Sequence, residues 1–104
     1  MLSKCRVTVL RRSLDRELVT EFLDPEHSDM KPCEQFAEGQ EFIVEQPFDV
    51  PDGFCSWAWA DIRHSIMRVA CGGEMPFLRE PGVEIAGCTD WFRPVLFKVE
   101  RLDD

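Results

Sequence analysis

Five cysteines, three tryptophans and two histidines are the side chains of this 104-residue chain best suited to chemistry. They are densest in Gly53-Phe54-Cys55-Ser56-Trp57-Ala58-Trp59-Ala60-Asp61-Ile62, which sets a thiol, two indoles and a carboxylate within ten residues. An indole is large and its N–H wants a partner when buried, so two of them around one alanine mark specified geometry. Thiolates are the natural ligands of soft metals, and Cys33, Cys55 and Cys88 are the candidates for such a set. Neighbouring cysteines lie about 15 to 22 residues apart from Cys33 onward, without the close pairs that advertise zinc or iron–sulfur sites. Only the fold could bring them together. The plainer alternative is that the thiols pack as small hydrophobes.

The segment from Ser56 to Ala70 reads as the main helix, with Asp52 or Ser56 as N-cap and Gly72-Gly73 as the stop. Ala58, Trp59, Ile62, Ile66, Val69 and Ala70 recur at three- and four-residue steps and form its core face. Trp57, Asp61, His64, Arg68 and Cys71 form a second stripe, where Trp57 beside Asp61 suits a groove for a cationic or aromatic ligand. Asp61 and His64 are close enough to touch. Cys71 and His64, seven residues or about 10 Å apart along the axis, are not a nucleophile–base pair. No His-Glu-x-x-His helix is present, and without a coherent nucleophile and base the expectation leans away from an enzyme. Cys55 at the helix start meets the positive dipole end, which favours a thiolate, while Asp52 and Asp61 oppose it. Asp90 and Arg93, with Cys88 and Thr89, form a last polar group in a turn.

The elements that must position these residues follow from period and punctuation. Lys4 to Leu10 alternates as a strand, with Cys5, Val7 and Val9 on one face. Leu14, Leu18 and Phe22, after Ser13, predict a short helix. Asp24 to Gly39 is a polar connection carrying His27 and Cys33; Glu41 to Gln46 is a short strand with Phe42 and Val44 inward. Val83 and Ile85 alternate with Glu84 and Ala86, Val95, Phe97 and Val99 with Leu96, Lys98 and Glu100, as an antiparallel hairpin joined through Gly87 to Pro94. The fold class expected is α+β: residues 1–104 as one domain, a small curved antiparallel sheet of about four strands against one main helix, with a second short helix.

A net charge of -8, with Arg11-Arg12 as the one adjacent basic pair, argues against nucleic acid and anionic membranes as partners. Neither a targeting signal nor a membrane span is evident, so the expectation is a cytoplasmic protein with reduced thiols; five is an odd number, so they cannot all pair within the chain. The partners expected are a small ligand or a protein, including a second copy of the chain.

The segments Cys33-x-x-Phe36-x-x-Gly39-Gln40-Glu41-Phe42, Gly53-Phe54-Cys55-x-Trp57-Ala58-Trp59-x-Asp61-Ile62, Pro81-Gly82 and Cys88-Thr89-Asp90-x-x-Arg93-Pro94-Val95-x-Phe97-Lys98-Val99-Glu100-Arg101 resemble those of the TIGR04076 family of small uncharacterised microbial proteins. The resemblance extends over nearly the whole chain from Lys4 and implies that Cys33, Cys55 and Cys88 occupy the family's cysteine positions. It implies no activity, substrate or cofactor. Two departures are Gly87, where relatives often carry a further cysteine, and Trp91, where they often carry glycine.

The leading expectation is a soft-metal or redox-responsive site, for zinc or another thiophilic metal, on Cys33, Cys55 and Cys88 beside Trp57 and Asp61. The competing one is a non-enzymatic binding module on the Trp57, Asp61, His64 and Arg68 face, with thiols that only pack.

Overall fold

The computed structural model describes residues 2–102. Its elements run β1 (Cys5–Arg12), α1 (Arg16–Phe22), a single 3-10 turn (Pro25–His27), β2 (Glu41–Val44), α2 (Ser56–Ala70), β3 (Val83–Gly87) and β4 (Val95–Arg101). The four strands form one antiparallel sheet in the order β2-β1-β4-β3. This is the α+β arrangement expected from the sequence, with α2 as the main helix.

Period-2 apolar positions build the buried face of the sheet: Cys5, Val7 and Val9 from β1, Phe42 and Val44 from β2, Val95, Phe97 and Val99 from β4. Onto it α2 lowers Ala58, Ile62, Ile66, Val69 and Ala70, all buried. Trp59 is only partly buried and meets the edge of Phe54 at 5.9 Å. The helix closes where expected. Gly72 has φ +93, and the N–H of Gly73 donates to the Arg68 carbonyl at 2.8 Å, the six-to-one bond of a glycine C-terminal stop.

Three local expectations are corrected. β1 continues past Leu10 to Arg12 because the register with β4 shifts between Val9 and Arg11; the bulge leaves Leu10 unpaired in that ladder and breaks the alternation. The first helix starts later than Ser13: Asp15 is its N-cap, accepting from the Leu18 N–H at 3.1 Å, while the Ser13 N–H bonds the Pro94 carbonyl. Its one buried residue is Val19, and Phe22 is exposed. In β3 it is Glu84 that is buried, and Ile85 that is exposed.

Burial also sorts the thiols. Cys5, 1% exposed with Sγ 3.9 Å from the Ile66 carbonyl, has its pKa pushed up to about 11 by desolvation, with Arg101 pulling weakly the other way. It is a core residue. Among the described residues, no helix is long and apolar enough to cross a membrane.

Candidate functional site: a thiol-lined cavity

Cys33, Cys55 and Cys88 line one cavity of about 230 Å³, together with Phe36, Trp57, Asp90 and Arg93 among others. The three thiols come from the connection before β2, the start of α2 and the residue after β3. Each is partly buried and free.

Cys55 is itself the N-cap of α2, in place of the expected Asp52 or Ser56. Its extended backbone (φ -63, ψ 128) hands its carbonyl to the Trp59 N–H at 2.9 Å, while its side chain makes no capping bond. The chain reaches this position through Gly53 at φ +78, a left-handed turn that glycine adopts without strain. Phe54, next in line, buries its ring and anchors the turn.

Cys33 is held by two independent devices. The Arg12 guanidinium, carried past the β1 bulge, donates from Nη1 to the Cys33 carbonyl at 2.9 Å and from Nε to Glu38 at 3.0 Å. That guanidinium holds the Glu38 carboxyl below its usual range. Three residues on, Phe36 meets the rings of Phe54 and Phe97, both at 5.1 Å, and Phe42 at 6.0 Å. The N–H of Gln35 donates to Cys33 Sγ at 3.4 Å.

Cys88 continues the β3–β4 hairpin. Its N–H donates to the Val95 carbonyl at 3.1 Å, and the Val95 N–H donates to Cys88 Sγ at 3.4 Å. Gly87 stands where an added Cβ would lie 3.1 Å from Leu96 Cδ2 and 3.3 Å from the Val95 carbonyl oxygen, so a larger residue there would press on β4. Trp91 does not strain the turn, because no residue other than glycine has positive φ among those described.

Beside the thiols, the Trp57 indole donates to Thr89 Oγ1 at 2.8 Å, and the Thr89 hydroxyl and N–H both donate to Asp61 Oδ2, at 2.9 and 2.7 Å. This relay ties α2 to the residue after Cys88. Both carboxylate oxygens of Asp90 accept: Oδ1 from the N–H groups of Phe92 and Arg93, Oδ2 from Arg93 Nε at 3.0 Å. Cys88, Thr89, Asp90 and Arg93 do form the polar turn read from the sequence.

The helix stripe does not act as one surface. Asp61 gives its carboxylate to Thr89, and the expected Asp61–His64 contact is not made. His64 lies instead in a shallow depression with Phe48, Ala60, Arg63 and Met67. Arg68 turns to Glu84, with Nε on Oε2 at 2.9 Å and Nη2 on Oε1. Cys71, exposed at the end of α2, contacts the Met67 sulfur. Spacing alone gave no sign of Arg12 or Gln35, and it showed Thr89 as a polar turn residue without its bonds to Trp57 and Asp61.

The three cysteines line one cavity, but their sulfurs do not all lie within 4.8 Å of one another. Among the described residues, the one set of metal-ligating atoms all within 4.8 Å of one another is that of Asp24, Glu26 and His27, which are exposed.

The fold and site define a small α+β protein with a cavity lined by three cysteines from distant parts of the chain. No family model, curated protein or solved structure matches it.

Proposed function

We propose that this protein binds one thiophilic metal ion, zinc or Cu(I), through Cys33, Cys55 and Cys88. The observation that carries the reading is the convergence of these three thiols on one cavity, across 22 and 33 residues of sequence. Structural thiols have no need to share a cavity, since a small apolar side chain packs equally well alone. Two further features support it. Backbone N–H groups point at Cys33 Sγ and Cys88 Sγ, donors that balance the charge on metal-bound thiolate. Cys55 Sγ, unused as a cap, is left for the cavity. The Trp57, Asp61 and Thr89 relay then serves to hold the start of α2 against the Cys88 segment. A site that depends on reduced thiols belongs in a reducing compartment, which is why the cytoplasm is the proposed location.

The competing binding-face reading is weaker because Trp57, Asp61 and Arg68 are committed to partners within the chain. Metal content of protein purified without chelator tests the choice. About one zinc or copper per chain is expected, falling to near zero on Cys55→Ser or Cys88→Ser and unchanged on Cys71→Ser. Metal-free protein that takes up none when zinc or Cu(I) is added would end the proposal.

A further inference from the structure

Helix α2 covers one face of the sheet, and the opposite face carries the alternate residues of the same strands. The pairing registers set these residues out in rows. One row runs Ile43, Arg6, Glu100, Val83 across β2, β1, β4 and β3, and the next runs Glu41, Thr8, Lys98, Ile85. Ile43 and Ile85, at opposite edges, are 44% and 41% exposed, so no described segment closes over either end of the face.

The first row is its own complement. Read from β2 it is apolar, positive, negative, apolar; read from β3 the two charges exchange places. The strands β1 and β4 are the central pair of the sheet, so Arg6 and Glu100 flank the midline of the face. A two-fold axis along that midline, between two such faces, lays β1 of one copy over β4 of the other. Each Arg6 then meets Glu100 of the second copy, and each Ile43 meets Val83. In the next row Lys98 meets Thr8 and Ile85 meets Glu41, so neither row opposes like charges. Within one chain Arg6 and Lys98 lie 3.6 and 3.5 Å from Glu100 Oε1, longer than the 2.7–2.9 Å or so of a charge-assisted hydrogen bond. The Arg6 guanidinium, with five donors, makes only that ion pair among the described residues.

We propose that the open face of the sheet docks a second copy of this chain, face to face, about the midline between β1 and β4. Packed sheets rotate by about 30° through their twist, and the rows nearest the axis keep their facing best. A face four strands wide spans only about 19 Å, at the small end for a specific interface, which makes the dimer a weak one. This proposal is independent of the metal site.

The test is sedimentation equilibrium of the reduced protein from about 10 μM to about 1 mM, where a weak dimer assembles. Wild type is expected to show a monomer–dimer equilibrium in that range. Arg6→Glu and Glu100→Arg should each weaken it by about tenfold or more, because the two-fold axis doubles every like-charge contact. Mixed in equal amounts, the two variants should form a heterodimer, since position 6 of each then faces the opposite charge at position 100 of the other. A pairing confined to one chain cannot produce that result. Ile43→Asp, at an exposed site that the fold does not need, should weaken the dimer as well and decides the matter if either charge variant fails to fold. Wild type that stays monomeric up to about 1 mM, charge variants that associate as wild type does, or an Ile43→Asp dimer of undiminished strength overturns the proposal. So does a mixture of folded charge variants that forms no heterodimer.

Discussion

Replacing Phe54 by alanine is expected to cost about 3–4 kcal/mol of stability, the range for removing a buried phenylalanine from a packed core. Phe54 is 8% exposed, and its ring meets Phe42 at 4.8 Å, Phe36 at 5.1 Å, Phe97 at 5.7 Å and Trp59 at 5.9 Å. These are tilted and edge-on contacts, which add to the area term. The residue also joins two parts of the cavity. It precedes Cys55 and packs on Phe36, three positions beyond Cys33, so its loss loosens both thiols. Weaker metal binding should accompany the fall in stability. Phe48→Ala is the control: Phe48 is 66% exposed, and its removal should cost less than about 0.5 kcal/mol. Urea midpoints of the two variants check this, and equal midpoints would contradict it.

Arg68→Ala is the second large effect, expected to cost about 2–3 kcal/mol at neutral pH. Glu84 is 1% exposed, and its carboxylate stays charged there because Arg68 holds both oxygens. An uncompensated buried charge costs about 3–5 kcal/mol; half of the Arg68 side chain lies in water, which moderates the loss. The Arg68 guanidinium holds the Glu84 carboxyl below its ordinary 4.5, helped by Ser65 and His64 and opposed by burial. A carboxylate with a depressed folded pKa stabilises above the unfolded value, and that contribution is lost as pH falls through the folded one. The gap between wild type and Arg68→Ala should accordingly be full at pH 7 and narrow as pH drops below about 4.5. In the Arg68→Ala background, Glu84→Gln should recover part of the loss by removing the charge. Denaturation at pH 7 and pH 4 reads both effects, and a gap independent of pH would contradict the account.

Helix α2 was legible to the residue, because its core face repeats at helical spacing and Gly72-Gly73 ends it. The strands were legible through alternation, except where tertiary structure overrides it. The bulge at Leu10 concealed the last turn of β1, and with it the reach of Arg12 to Cys33. The facing of β3 was hidden for another reason: alternation cannot say which face is buried when the inward residue is a glutamate whose partner lies 16 positions away. Cys33, Cys55 and Cys88 were visible as candidates, but their place on one cavity wall was not. It depends on Phe36 docking on Phe54 and on Arg12 holding the Cys33 carbonyl, contacts between segments that no local pattern encodes. The helix stripe misled in the opposite sense. Its spacing is real, yet Thr89 and Glu84 draw its members to different ends of the sheet hairpin.

Cobalt(II) titration of the reduced protein puts the central claim to its most direct test, since thiolate-to-metal charge-transfer absorption counts the bound sulfurs. The account predicts saturation at about one cobalt per chain with the intensity of three thiolates. Serine at position 33, 55 or 88 should each remove about one third of that intensity or the binding itself, whereas Cys5→Ser and Cys71→Ser leave it in place. Absorption that never develops, or that persists when Cys33, Cys55 and Cys88 are all serine, would contradict it.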